Sequence, residues 1–403
     1  MEAELHEVAA QYGTPFSLID VATMAARVAE TRMGLGFPVD VLFAMKANPS
    51  RVLLRELLGV VDGLDVASEG ELSAALEVGY AGPRLSLAGP AKPIETLELA
   101  GASEAWVSLE SFGELERVAR LGPRGQLLVR VNPRVPDLAY PLRVGGMPSP
   151  FGIDEAQLPE FLTRARDLGV DLRGVHVFAG AQARSARGVA RSILRTLELA
   201  ASLSRHVSVS RIGLGGGFGI AEREGESELS LPSVRSAIDR DRVRLALELM
   251  PTARVALELG RFLVGPAGVY VARVIDVRIS RGERFTVLDG GMNHQLFSTA
   301  LYGPNRARRV TALSDRPPVR THVVGPLCTP LDVLARDVEL PELSPGDLVA
   351  LPSAGAYGMT ASPALFLGHR TPIELLKTSA GVSIARHAVD PTKLGHPEDS
   401  RGR

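Results

Sequence analysis

Four lysines stand in a chain whose other basic residues are all arginine: Lys46, Lys92, Lys377 and Lys393. Lys46 lies in the string FAMKAN, at the end of the apolar run Val39 to Ala44 and just ahead of Asn48-Pro49-Ser50, which reads as the start of a helix. A lysine at the inner rim of a barrel strand, desolvated by its neighbours, has a lowered pKa and a free amine, the form that condenses with a carbonyl. An ordinary lysine that lays its stem on apolar surface would look the same in isolation. Downstream, further groups capable of chemistry recur at intervals: Asp65 and Ser68, Asn132, His176, the run Gly215-Gly216-Gly217, and Glu258 with Arg261.

Their spacing is explained by the elements that carry them. Eight short apolar segments, VDVLFAMKA, GLDVAS, RLSLAG, AWVSLES, QLLVRVNP, LRGVHVFAG, SRIGLGGGF and RVALELGR, alternate with segments of three- and four-residue apolar spacing such as GELSAALEVG and GVARSILRTLELAASLSR. Strands alternating with helices eight times predict a (β/α)8 TIM-like barrel, whose active site collects at the C-terminal strand ends. Each polar group above falls at such an end. The loops GGGFG and ELGR after strands seven and eight have backbone N–H groups that an anion can approach, although a glycine run by itself can also be only a tight turn.

Beyond Arg261 the pattern turns to period two in GVYVARVIDVRISRG, RFTVLDGG, RPPVRTHVVGPL and PGDLVALPSAGAY, which predicts a C-terminal antiparallel β domain. TPFSLID near the N-terminus reads as a strand of that domain. The expected boundaries are 36–266 for the barrel, 1–35 with 267–390 for the β domain, and 391–403 for a fraying, disordered tail.

The ordered set FAMKAN, GLDVASEGEL, GVHVFAGAQ, GLGGGFGI, ELGR, VLDGGMN, ALYG, GPLC, PGDLVAL and GAYG resembles the alanine-racemase-fold pyridoxal-phosphate decarboxylases, the diaminopimelate and ornithine decarboxylase group, from about residue 14 to 378. The resemblance implies pyridoxal 5'-phosphate as cofactor. It assigns Lys46 as the Schiff-base lysine and Glu258 as the partner of the pyridine nitrogen, where a carboxylate favours the protonated ring and a strong electron sink. Racemases of this fold place an arginine there, so Glu258 speaks for decarboxylation. Gly216, Gly217, Gly260, Arg261 and Tyr357 are implied around the phosphate, with His176 and Phe178 at the ring. The bland alternative for Glu258 and Arg261 is a structural ion pair at the rim.

Cys328 is the only cysteine, which excludes an internal disulfide and suits a reducing compartment. A lone cysteine is commonly a small buried hydrophobe. In the resemblance it instead reaches the partner subunit's site in a homodimer and helps protonate Cα, a task the released Lys46 could share. Thr329, Asp332, Tyr302 and Phe297 are implied at the substrate.

Three departures qualify the likeness. Where relatives stack a histidine on the cofactor, this chain has Phe178-Ala179-Gly180-Ala181-Gln182, and Ala181 replaces a phosphate-touching serine. Thr329 stands where a glutamate or aspartate would pair with a distal ammonium, and a buried unpaired ammonium costs several kcal/mol. Phe297 or Ser298 falls where an arginine would hold a distal carboxylate. With HVFAGAQ, GGMNHQ, CTPLD and FLGHRTPIELL, the chain is most similar to a specialised branch that includes the carrier-protein-linked glutamyl decarboxylase and the exosortase-associated decarboxylases. An amino acid tethered to an acyl carrier protein would suit its uncharged pocket. Meso-diaminopimelate decarboxylation in lysine biosynthesis is the alternative, and a catalytically inactive regulatory homologue the non-enzyme one.

Composition agrees with this reading. With 403 residues, 45% of them hydrophobic, the chain can bury a barrel and a second domain. A net charge of −1 with interspersed signs leaves no footprint for nucleic acid. The N-terminus MEAELHEVAAQYG has no leader pattern and no run reaches the length of a membrane span, so a cytoplasmic location is expected. Arg306, Arg308 and Arg309 read as a solvated loop, or as a contact for an acidic carrier protein. No zinc-ligand spacing or low-complexity tract is present.

Overall fold

A computed structural model describes residues 2–122, 125–134, 139–299 and 309–394. The chain divides into two compact units, one of Ala25–Ile220 with Ser227–Leu263 and one of Met1–Met24, Ala221–Glu226 and Val264–Arg403. The division falls eleven residues ahead of the expected one: most of the helix Val21–Gly34 belongs with the barrel, because its Gly34 packs against Leu231 of a barrel helix so closely that a Cβ would lie 2.8 Å from the leucine.

The first unit is a closed barrel of eight parallel strands: β1 Asp40–Ala44, β2 Gly63–Val66, β3 Leu85–Leu87, β4 Trp106–Leu109, β5 Gln126–Asn132, β6 Leu172–His176, β7 Arg211–Gly216 and β8 Arg254–Leu259. Each pairs in parallel with the next, and β8 closes onto β1 through Leu257 opposite Val41 and Glu258 opposite Leu42. All eight match the apolar runs read from sequence. Strands covered on both faces carry continuous apolar runs, and β2, β3, β4 and β7 are buried along their whole length.

The helices are α1 Arg51–Glu56, α2 Glu69–Val78, α3 Ile94–Ala102, α4 Phe112–Leu121, α5 Leu158–Asp167, α6 Ala186–Leu203, α7 Leu231–Ala237 and α8 Arg240–Glu248. Two begin on Ser-x-x-Glu boxes. Ser68 Oγ accepts from Glu71 N at 3.2 Å while Glu71 accepts from Ala67 N at 2.8 Å, and Ser111 and Glu114 repeat the arrangement at 3.1 and 2.8 Å. Ser68 is thereby a helix cap.

The second unit is a sheet around Tyr270, Leu288, Val323, Leu334, Val349 and Leu351. Helix Glu2–Tyr12 lays Leu5 and Val8 against Phe16, Val271 and Leu375 of the same unit. The sheet is rich in antiparallel pairs, with TPFSLID present as strand Phe16–Asp20 beside Gly268–Ser280. It is not wholly antiparallel: Phe16–Asp20 runs parallel to Ile373–Thr378, and Glu283–Leu288 parallel to Pro318–Val324. Strand alternation reports which face is buried and is silent on direction, which depends on how the connections cross. At the C-terminus, Pro391–Lys393 forms a 3-10 turn capped by Asp390, whose carboxylate accepts from Thr392 N at 3.0 Å, so the expected tail is ordered there; residues 395–403 lie outside the described residues.

Candidate active site

The polar groups read from sequence converge at the C-terminal end of the barrel. Lys46 leaves β1 on a 3-10 turn, Met45–Ala47, and its Nζ stands 3.6 Å from Asp65 Oδ2 on β2. It is not desolvated as expected: the side chain is 47% exposed, because the turn lifts it out of the strand to the open mouth. The lysine that the fold buries is Lys92.

Inside the barrel, Glu258 of β8 faces His176 of β6, with Nε2 3.0 Å from the carboxylate, within ion-pair distance but outside hydrogen-bond alignment. Ser108 of β4 lies 3.1 Å from the other ring nitrogen. All three are buried, and the ring has a built niche, since a Cβ at Gly213 would lie 2.9 Å from its Cδ2. Burial alone would raise the Glu258 pKa. The neighbouring charges of His176, Lys46 and Arg130 outweigh it and hold the group down at about 2. Asp65 goes the other way: burial pushes it up to about 7, against the pull of Lys46 and with a further push from Glu258. One site thus holds a carboxylate that stays ionised and another that titrates near neutrality.

The glycine run after β7 is dictated first by packing. A side chain at Gly216 would collide with the Glu258 carbonyl and one at Gly217 with the Gly180 carbonyl, and Gly215 and Gly217 have φ of +59° and +75°. Gly260 packs against Ala47, where a Cβ would lie 2.8 Å from the alanine's own, and Arg261 begins the short helix Arg261–Val264. Phe178 follows β6, its ring centroid 5.8 Å from Lys46 Nζ. Gln182, at φ +61°, accepts from Ile220 N at 3.2 Å. Asn132 is bound to its own loop, donating to Met147 O and Asp154, each at 3.0 Å.

A buried ionic cluster passed unnoticed in the sequence. Lys92 lies 3.1 Å from Glu114 and 3.5 Å from Glu110, and Arg130 Nη1 donates to both Glu110 oxygens at 2.9 and 2.8 Å. These residues follow β3 and β4 or lie on β5 and are almost wholly buried. A lysine five residues beyond β3 and an arginine within β5 were the only signal, and their partners are distant in sequence.

The remaining expected residues belong to the second unit. Cys328 is exposed. Thr329 is engaged by its own turn: its N donates to Leu327 O at 2.8 Å and its Oγ1 accepts from Leu331 N at 3.3 Å. Asp332, expected at the substrate, is buried and accepts from Met292 N at 2.6 Å and Leu327 N at 2.9 Å, so its carboxylate ties the Cys328 turn to the Gly291 loop. Phe297 is 36% exposed and its ring lies 5.8 Å from that of Tyr357, which has a φ of +54°. Tyr302, Arg306 and Arg308 lie outside the described residues.

The donor set fits pyridoxal 5'-phosphate: an amine at the barrel mouth for its aldehyde and an ionised carboxylate, held by a buried imidazole, for a ring N–H. Among the described residues no group of histidine, cysteine and carboxylate ligands could hold a metal ion, and no helix is long and apolar enough to cross a membrane.

Comparison with known proteins agrees with that fit. The family described as "Pyridoxal-dependent decarboxylase, pyridoxal binding domain" matches residues 21–265. The chain is 31% identical over 404 residues to the L-glutamyl-[BtrI acyl-carrier protein] decarboxylase of Niallia circulans, with 96% of this chain and 94% of that protein covered. It is 36% identical over 363 residues to a diaminopimelate decarboxylase of Actinosynnema pretiosum subsp. auranticum, covering 87% and 81%. The crystal structure of diaminopimelate decarboxylase from Helicobacter pylori complexed with L-lysine superposes with a TM-score of 0.87 at 24% identity, covering 98% and 99% of the two chains, and speaks for the fold.

Proposed function

The chain belongs to the pyridoxal-dependent decarboxylases, and from that premise we propose that it removes the α-carboxylate of an amino acid carried as a thioester on an acyl-carrier protein. The observation that carries this reading is the uncharged turn Cys328–Thr329. Thr329 offers a hydroxyl already used by Leu331 N, and Phe297 offers an aromatic face, so neither supplies a charge for a distal ammonium or carboxylate. The relative from Niallia circulans, similar along nearly the whole chain, acts on such a substrate. Loss of CO2 from Cα requires a free α-carboxylate and a free α-amine. The thioester must therefore sit on a side-chain carboxyl, as glutamate allows.

In this reading Lys46, the amine at the barrel mouth, would hold the cofactor through its aldehyde. The cofactor, when bound, supplies the sink for the electron pair left by CO2. Glu258, kept anionic by His176, would meet the ring nitrogen, and Gly216, Gly217, Gly260 and Arg261 would hold the phosphate. Phe178 provides a stacking face without a titratable proton. Cys328 is presented to the partner protomer's site in a homodimer and, with Lys46, returns a proton to Cα.

The test is CO2 release from glutamate loaded on an acyl-carrier protein, set beside free diaminopimelate, ornithine, lysine, arginine and glutamate. Turnover of loaded glutamate alone is expected. Efficient turnover of a free diamino acid would overturn the reading in favour of the second one, diaminopimelate decarboxylation, which the 36% identity to that enzyme supports. Complementation of a lysine auxotroph would then follow.

A further inference from the structure

Positive charge of a single sign gathers beside the ends of β5 and β6. Residues 139–152 and 177–197 contain Arg143, Arg184, Arg187, Arg191 and Arg195 and no aspartate or glutamate, in a chain that balances 45 basic against 46 acidic residues. The fold joins the two segments. Leu142–Arg143 pairs antiparallel with Gly180–Ala181, Arg143 opposite Gly180, and Val144 and Gly145 both donate to Ala179 O at 3.1 Å. Gly188 in the first turn of α6 meets Ala139 so closely that no side chain would fit between them.

Arg187 and Arg191 stand one turn apart on the exposed side of α6, whose other side buries Val189, Ile193, Leu194 and Leu197. Helix stability does not account for Arg187, because the dipole opposes a cation in the first turn. Arg143, Arg187 and Arg191 are exposed and make no ion pair among the described residues. The monopolar stretch ends at Glu198, which pairs with Arg242. Two large apolar side chains share the surface: Leu142 is 51% and Met147 46% exposed. Arginine and methionine around an exposed apolar centre are the composition of a binding face. It lies at the same barrel end as Lys46 and Glu258.

We propose that this rim, Arg143, Arg187 and Arg191 around Leu142 and Met147, docks the acidic surface of the acyl-carrier protein that delivers the substrate. The inference rests on the carrier-bound reading above and adds where the carrier sits. Its carboxylates meet the arginines, and the tethered amino acid is held at the mouth of the barrel; exposed charges of this kind act mainly on encounter and are weakened by salt.

The test compares the pyridoxal-phosphate-loaded enzyme with its Arg143→Glu/Arg187→Glu/Arg191→Glu variant on two substrates: the Niallia circulans carrier protein loaded with glutamate through its side-chain carboxyl, and the same glutamyl thioester of N-acetylcysteamine. KM for the loaded carrier is expected to rise about tenfold or more, with kcat and the small thioester unaffected. A carrier with acidic residues changed to lysine should restore part of the loss. Unchanged KM for the loaded carrier sinks the docking face and leaves the carrier reading standing. A wild-type enzyme that ignores the loaded carrier sinks both. Equal losses on the two substrates, or a shift in sedimentation of the variant, also overturn the proposal, since the arginines would then serve the barrel or a second copy of the chain.

Discussion

The imidazole of His176 stands between Glu258 and Ser108, 3.0 Å from the carboxylate and 3.1 Å from the hydroxyl, with all three side chains buried in the barrel. The adjacent His176, with Lys46 and Arg130 beyond it, outweighs the cost of burial and keeps Glu258 anionic. Glu258→Gln removes that charge and should lower kcat by about a hundredfold or more, while cofactor still binds. His176→Ala should cost about 1–3 kcal/mol of stability, because it leaves the buried Glu258 carboxylate without its nearest partner. Chemical denaturation and steady-state kinetics read the two effects separately, and wild-type kcat in Glu258→Gln would refute the assignment.

Asp65 and Glu258 give the cofactor-free protein opposite pH dependences. The folded pKa of Asp65 is raised from 3.8 to about 7, so the folded state binds the extra proton between those values. Its contribution to stability is full below the unfolded pKa and is lost as pH rises through the folded one. Glu258 is lowered from 4.5 to about 2, so its contribution is full above 4.5 and is lost as pH falls toward 2. Asp65→Asn should therefore shrink the fall in Tm between about pH 5 and about pH 8. An identical fall in wild type and variant would contradict this.

Borohydride reduction of the cofactor-loaded enzyme should attach the cofactor to Lys46, found by peptide mass mapping. Lys46→Ala should abolish both the label and turnover. Lys92 is the competing amine in the barrel unit, yet its ammonium is enclosed by Glu110, Glu114 and the Gly89 carbonyl. A label on Lys92 would show that the exposed lysine is not the reactive one.

Arg130→Leu strands the buried Glu110 carboxylate, whose pKa burial would raise but Arg130 and Lys92 hold below the usual range. Removing one partner of a buried ion pair costs about 3–5 kcal/mol. Urea unfolding should show a loss of that size, and a loss under about 1 kcal/mol would mean the cluster relaxes around the gap.

Much of the barrel was legible because its signals are local. Each strand is an apolar run whose burial on both faces needs no knowledge of its neighbours, and Ser68 with Glu71 and Ser111 with Glu114 mark helix starts within four residues. Lys46, Glu258 and the glycine run could be placed at strand ends from the repeat alone. The roles of the residues around them were less legible. Asp332 reads as a site carboxylate until its backbone partners Met292 and Leu327 are seen, 40 and 5 positions away.

The order and type of elements, the barrel, the family and the placing of a lysine and a carboxylate at strand ends were therefore determined by the sequence, through patterns that span a few residues at a time. Only the tertiary structure decided which lysine is buried, which carboxylate stays ionised, that two pairs in the β unit run parallel, and that two segments without acidic residues share one surface. Those outcomes depend on charges, backbone groups and strand directions brought together from distant positions. Desolvation and Coulomb energies act over a few ångströms of space, and separation along the chain does not reveal that distance.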